Sequence, residues 1–567
     1  MAAQLVFRIM KGKRGNNLFF LLSALGLALL FVVPWLMKDQ LGIEHDTFFH
    51  LSRIEGMARS LQAGRFPPYI YPYKNNGFGY AAPLFYCDLF MVLPAFLYLS
   101  GVPLSFCYQG FVFLVTVGTA YTAEKLAWRL SHDRRAALVT GAAYLFANYR
   151  ITDAYVRSAL GELTAMIFLP VLLSALYLLL EKQDEGGGKL LTLALCGLIF
   201  SHNLTFIMAV VLLLIFVALY RKKISRQIWR TGFFSALKAF LLTAWFTLPM
   251  IEQLASQQMY LSWYAGGSDL AAHALKLSQY FVNRTVFGYS GLQYGPDMQM
   301  TVNPGWELML LPPLWLLFRH QTEHPVFIRR CLIAGLVCLL LPLKYIPWDY
   351  LVFLRVLQFP WRLMTLATVL LTVPLAVMLA SLPKQRVLLQ YALLGIILTE
   401  GCLHVLPVLD RSFAISSSTQ YADITEGRLT DPYYSATYMR VELAGGDYIP
   451  IGSPDFRGFA PVIRDEAEYD AGIPYTRTYD SLTFTMTDET GTYLLPVTWY
   501  KGWQVYKDNE ALPTQAGQYR LVSFATAGPG TNTCRYTGTL VQKTSLALSL
   551  FSAAVFILLK RRRPAAV

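Results

Sequence analysis

The feature that most constrains this chain is a series of apolar blocks, many close to twenty residues long, recurring from Leu18 to Leu559. A helix of about twenty residues spans a hydrocarbon layer roughly 30 Å thick, and a helix satisfies its own backbone groups there. Charged residues make up only 15% of the chain and the mean hydropathy is +0.41, too little polar surface for a soluble globule of this size. The pattern predicts a polytopic α-helical membrane protein. It also changes the meaning of the net charge of +13. In a soluble chain that excess would suggest a nucleic-acid partner; here it lies in short basic segments beside apolar blocks, where it reports orientation. No nucleic-acid partner is expected.

Twelve segments are candidate spans: 18–37, 104–127, 136–149, 160–180, 190–201, 204–220, 231–250, 304–318, 331–343, 362–382, 387–407 and 544–559. The basic start, with Arg8, Lys11, Lys13 and Arg14 ahead of Leu18, resembles a signal peptide, but its apolar run is too long and has no small-residue cleavage site. An uncleaved first helix is expected. A further stretch, Pro83–Leu99, is decided by parity. The basic clusters at 8–14, 129–135, 221–230, 319–330, 384–386 and 560–563 all fall on the cytoplasmic side only if Pro83–Leu99 does not cross. It therefore reads as a juxtamembrane or re-entrant helix. The same parity puts 38–103, 150–159, 251–303, 344–361 and 408–543 outside the membrane.

Three parts follow: a transmembrane module over 1–407 with its first external loop at 38–103, a domain over 408–543, and a final helix with a basic tail over 544–567. In 408–543 the apolar blocks give way to Thr, Tyr, Gly and Asp. Alternation in Ser481–Thr487 and Trp503–Tyr506 predicts strands, with a tight hairpin turn at Asp508-Asn509. A small β-rich extracytoplasmic domain is expected. Of "TWYKGWQVY" (Thr498–Tyr506), Trp503 reads as core, while Trp499 and Tyr500 are left open as sugar-stacking surfaces. The seven cysteines show no CxxC pair and lie mostly in apolar runs, as small buried hydrophobes do.

The chemistry is concentrated after the first span, in "GIEHDTFFHLSRIEGMARSLQAGRFPP". A short helix should begin after Asp46 and stop near Gly64 and Pro67-Pro68, with Asp46, His50 and Arg53 spaced i, i+4, i+7 on one face. Asp46 is a good N-cap and equally a general base beside anion-binding groups; both roles are open.

"HDTFFHLSRIEGMARSLQAGRFPP", "GFGYAAPLFY", "VLQFPWRLM" and "TYLLPVTWYKGWQVYKDNEAL" resemble the bacterial 6-pyruvoyl-tetrahydropterin-synthase-related, YfhO-like membrane family, within the GT-C superfamily of membrane glycosyltransferases. The synthase activity in that name is not carried over: His132, His320 and His324 fall on the expected cytoplasmic side, His202 follows a separate span, and His45 and His50, which are left close together, are too few for a closed zinc site. The resemblance implies sugar transfer on the extracytoplasmic side of the cell membrane, from a polyprenyl-phosphate-sugar donor to a glycan, teichoic-acid-like, lipid or protein acceptor. It maps the general base onto Asp46, with inversion at the anomeric carbon. His45, His50, Arg53, Arg65, Arg157 and Arg362 are the candidate substrate-binding residues, the arginines for the leaving lipid phosphate. A second acidic residue in the next external loop would be Asp153 or Glu162; Glu162 is preferred because it opens an apolar span, where a charge without a role is costly. A divalent metal, if used, would sit on Asp46 and Glu162; metal dependence stays open. Two rival readings are a ligase or polymerase acting on lipid-diphosphate sugars, with essential groups in 251–303, and a polysaccharide or lipid-sugar transporter.

Overall fold

The computed structural model describes residues 13–38, 40–42, 44–261, 269–407, 414–416, 447–454, 456, 459–466, 471–487, 491–526 and 528–561. Much of the expected 408–446 region, Ser417 included, lies outside the described residues. The chain divides into two compact units, Met1–Thr47 with Ser105–Ala239 and Gly267–Thr419, and Phe48–Leu104 with Phe240–Gly266 and Gln420–Val567.

Among the described residues, eight helices are long and apolar enough to cross a membrane: Gly15–Met37, Leu104–Ser131, Leu160–Glu181, Asn203–Tyr220, Arg226–Ser256, Pro360–Ala380, Val387–Val405 and Leu540–Leu559. Each falls on an expected span. The other four expected spans form shorter elements. Arg134–Leu145, Gly187–Ser201 and Pro325–Leu340 are single helices of 12, 15 and 16 residues. The block 304–318 breaks into Trp306–Leu310 and a 3-10 turn over Pro312–Leu317, because Pro312 and Pro313 bring no N–H to continue an α-helix. The stretch Pro83–Leu99 is likewise interrupted, its longest continuous piece being Val92–Leu99.

In the first unit Pro360–Ala380 is the central helix, almost wholly enclosed by protein. Pro325–Leu340 and Arg134–Leu145 pack on its Met364–Ala380 part, and Gly187–Ser201 packs on Leu160–Leu176. Close approach of the last pair needs Gly197: a Cβ there would lie 2.2 Å from the Phe168 ring. Small residues serve this purpose between apolar helices, where shape rather than water exclusion drives association. A two-stranded antiparallel ladder joins β1 (Gln40–Gly42) to β2 (Ala414–Ser416).

The second unit is built on ten further strands: β3 (Ile463–Asp465), β4 (Ala471–Ile473), β5 (Tyr475–Arg477), β6 (Ser481–Met486), β7 (Gly491–Thr498), β8 (Trp503–Lys507), β9 (Glu510–Leu512), β10 (Thr514–Ala516), β11 (Leu521–Thr526) and β12 (Gly530–Tyr536). They form two five-stranded sheets, β10-β11-β7-β3-β4 and β5-β6-β12-β8-β9. The β8–β9 hairpin turns at Asp508 and Asn509, both at positive φ (48° and 69°), the backbone a two-residue hairpin turn with right-handed strand twist requires. Trp503 and Val505 point inward and Gln504 and Tyr506 are half-buried, as the alternation predicts. Tyr500 is fully buried, its hydroxyl donating to the Tyr448 carbonyl at 3.0 Å, so it belongs to the core. That core runs through Leu494, Val505, Val522 and Phe524 to Phe78, Tyr80 and Phe85 of the loop over 63–88.

The loop itself is held by two buried charge clusters. The Thr47–Gln62 helix ends where expected, with Gly64 at φ 67°. From it, Arg53 pairs with Asp88 at 2.5 Å and Glu55 pairs with the fully buried Lys74 at 2.6 Å. Tyr71 donates to Asp88 and Tyr73 to Glu55.

Candidate functional site

The first unit gathers an acidic and basic cluster from four separate stretches of sequence. The short helix Asn148–Tyr155 carries Tyr149 and Asp153, and Arg157 follows one turn after Asp153. Glu162 sits in the first turn of the Leu160–Leu176 helix, and Trp361, Arg362 and Thr365 come from the start of the central helix. Residues 44–47 bring Asp46 to the cluster. The Asp46 N–H donates to the Arg157 carbonyl at 3.0 Å, His45 N–H to the Val156 carbonyl at 3.4 Å, and the Thr47 and Ser158 hydroxyls bond at 2.8 Å. Asp46 thus lies in the turn just before the Thr47–Gln62 helix, its main chain clamped to the residue most central to the cluster.

Arg157 organises the charges. Its Nη1 donates to Asp153 and, at 2.9 Å, to Glu162, and its guanidinium lies 4.6 Å from the centre of the Trp361 ring. Burial works against the guanidinium charge but is outweighed by Asp153 and Glu162, which hold Arg157 well above its ordinary value. Glu162 is spoken for at both oxygens: Tyr149 donates to Oε1 at 2.7 Å, Thr365 donates to the same atom, and Arg157 takes Oε2. Asp153 is different. One oxygen accepts from Arg157, while Oδ2 is buried with no hydrogen-bond partner. Burial, followed by the neighbouring Glu162 charge, pushes the Asp153 carboxyl well above the usual carboxylate range, with Arg157 opposing.

Arg362 is the second buried cation. Its Nη1 donates to the Leu357 carbonyl at 3.0 Å and to Gln358 Oε1 at 2.5 Å, its Nε has no partner, and it lies within electrostatic reach of Asp46, Glu162 and Arg157. A guanidinium with an open N–H beside a second guanidinium is an anion-binding arrangement. The Glu162 oxygens already accept three protein donors, and among the described residues no group of three or more His, Cys, Asp or Glu side chains is placed to hold a metal ion.

The sequence-predicted residues separate accordingly. Asp46, Arg157, Glu162 and Arg362 come together, with Asp153. His45 is exposed, and its ring stacks on Tyr289 at 4.7 Å between centroids and 5° between planes. Arg53 and His50 belong to the second unit: Arg53 is occupied by Asp88, by the Cys87 carbonyl at 2.9 Å, and by His50 Nδ1 at 3.1 Å. Arg65 is also there, paired with Asp480. The sequence reasoning missed Tyr149, Trp361, Thr365 and Tyr289. Trp361 and Thr365 flank the quoted Arg362, one residue before it and three after, so one helical turn around a candidate arginine would have raised them. It also missed the part played by 269–303: Thr152 donates to the Thr301 carbonyl at 2.6 Å and Asn148 to Asn303 Oδ1 at 3.0 Å, which ties that loop to the helix carrying Asp153.

No protein-family model matches the chain. A curated protein from Lactococcus lactis subsp. cremoris (strain MG1363), described as uncharacterized, is 23% identical over 249 residues. The match covers 42% of this chain and 40% of that one, so the chain spans well under half of the curated relative. Among solved structures, the arabinofuranosyltransferase AftD from mycobacteria is similar with a TM-score of 0.47 and 14% identity, over 72% of this chain and 28% of that one. The Archaeoglobus fulgidus oligosaccharyltransferase in its apo form is similar with a TM-score of 0.43 and 13% identity, over 78% of this chain and 62% of that one.

Proposed function

We propose that this protein is a membrane glycosyltransferase that moves a sugar from a polyprenyl-phosphate-sugar to a cell-envelope acceptor on the extracytoplasmic side. The observation that carries the reading is Asp46 fixed by its main chain to Arg157, within electrostatic reach of Arg362, whose buried Nε has no partner. Asp46 takes the proton of the acceptor hydroxyl as that oxygen bonds to the anomeric carbon. The bond from the anomeric carbon to the lipid phosphate breaks, its electron pair leaves with the phosphate, and the arginines stabilise the charge. One displacement inverts the anomeric centre. The basic clusters beside the spans support the side assigned, and the sequence resemblance supports the donor class. Glu162 acts here as the residue that positions Arg157, which leaves Asp153 as the second acid with an open oxygen.

The loop 269–303 favours keeping a second reading, transfer from a lipid-diphosphate sugar, because its Tyr289 stacks on His45, the residue before Asp46, and its Thr301 and Asn303 brace the cluster. The test is transfer from labelled polyprenyl-monophosphate and polyprenyl-diphosphate sugars to envelope fractions by the purified protein. Asp46→Asn should lower transfer about 10²–10⁴-fold without loss of folding. Near-normal turnover in that variant overturns the assignment, and transfer only from diphosphate donors selects the second reading.

A further inference from the structure

The second unit holds a cavity of about 260 Å³ that the proposed chemistry does not use. One wall is the segment after the Thr47–Gln62 helix, with Arg65, Phe66 and Tyr69; another is Tyr479-Asp480; the third is the first two turns of the last apolar helix, with Lys543 and Leu546. Leu540–Leu559 is a 20-residue span, about the thickness of the hydrocarbon layer. At 1.5 Å per residue, Lys543 and Leu546 lie within about 9 Å of its end. The cavity therefore sits at the depth of lipid head groups.

Its lining is rich in donors. Arg65 pairs with Asp480 yet its side chain is still 58% exposed, and Lys543 is exposed. Two cations against one carboxylate leave a net positive charge. The Tyr69 hydroxyl is buried without a partner, and burial pushes it up to about 12, so it stays protonated and can donate. Phe66, 51% exposed, and Leu546 give the cavity apolar surface. A neutral sugar would be better served by an open carboxylate, but Asp480 is engaged by Arg65.

We propose that this cavity binds the phosphate head group of an anionic membrane lipid, with Lys543 and Arg65 on the phosphate and the acyl chain along Phe66 and Leu546. The assignment rests on the membrane reading of the last helix and does not depend on Asp46 or on any sugar transfer. The test is native mass spectrometry of the full chain in detergent micelles titrated with phosphatidylglycerol or phosphatidylcholine. Phosphatidylglycerol should bind in preference, and the double variant Arg65→Gln, Lys543→Gln should weaken it about tenfold, given that each surface cation contributes modestly to attraction of an anionic lipid. The charge-keeping pair Arg65→Lys, Lys543→Arg should retain most of the binding, which separates lost charge from lost folding. Equal retention of both lipids, or unchanged binding in the double glutamine variant, overturns the proposal. Displacement by soluble glycerol 3-phosphate at matching concentration would assign the cavity to a free phosphate and overturn the lipid assignment.

Discussion

Replacing Glu162 by glutamine removes one negative charge from a cluster where Arg157 is buried between two carboxyls, and the structure says what should happen. Glu162 is 1% exposed and accepts from Arg157, Tyr149 and Thr365. Glutamine fits the same space, but it leaves the Arg157 guanidinium without its full counter-charge, and its amide protons face donors. Removing one partner of a buried pair costs about 3–5 kcal/mol, and the lower end applies because Asp153 still touches Arg157. Asp153→Asn should be milder. Burial, followed by the Glu162 charge, already pushes that carboxyl well above the usual range, with Arg157 opposing, so asparagine removes less counter-charge there than glutamine does at Glu162. About 1 kcal/mol is expected, the scale of one altered hydrogen bond. The pH dependence has a defined sign. A carboxyl raised on folding gives stability that is full below its unfolded value and lost as the pH rises through the folded value, so wild type should weaken over that rise while Asp153→Asn does not. Denaturant titration in dodecyl maltoside micelles, across pH, measures all of these. An Asp153→Asn cost equal to or above that of Glu162→Gln would refute the division of roles drawn for the two acids.

Gly197→Leu should destabilise the protein by about 1–3 kcal/mol, because its Cβ alone meets the Phe168 ring at 2.2 Å; the same titration reads it, and a neutral outcome would mean that helix pair has slack. Asn509→Cys should be labelled by an impermeant thiol reagent in intact cells, since it lies at an exposed hairpin turn of the β-rich unit. Labelling only after lysis would reverse the proposed orientation and with it the side of the chemistry.

What the sequence made legible was local. Apolar runs gave the eight long helices, the glycine and prolines after Gln62 gave the helix stop, and Asp508-Asn509 gave a hairpin. Each is decided by a few neighbouring residues. The Asp153–Arg157 pair was within reach for the same reason, being spaced i, i+4. The partners that redirect the other arginines were not. Arg53 is taken by Asp88, 35 residues on, and Arg65 by Asp480, 415 residues on, and no pattern along the chain announces a pairing at such separations. Hydropathy reads 304–318 as one unbroken block because it weighs side chains and ignores the backbone; two adjacent prolines break its helix by the hydrogen bonds they cannot make.

The ladder between Gln40–Gly42 and Ala414–Ser416 gives the helical module a drawstring. Its two ends are separated by nearly the whole of that module in sequence, yet they share three residue pairs, Gln40 with Ser416, Leu41 with Ile415 and Gly42 with Ala414. Beyond Ser416 the chain runs on to the β-rich unit; beyond Gly42 it reaches Asp46 in four residues. A two-stranded ribbon of this length is only marginally stable by itself, so the tie that holds residues 40–42 beside 414–416 can slip at small cost.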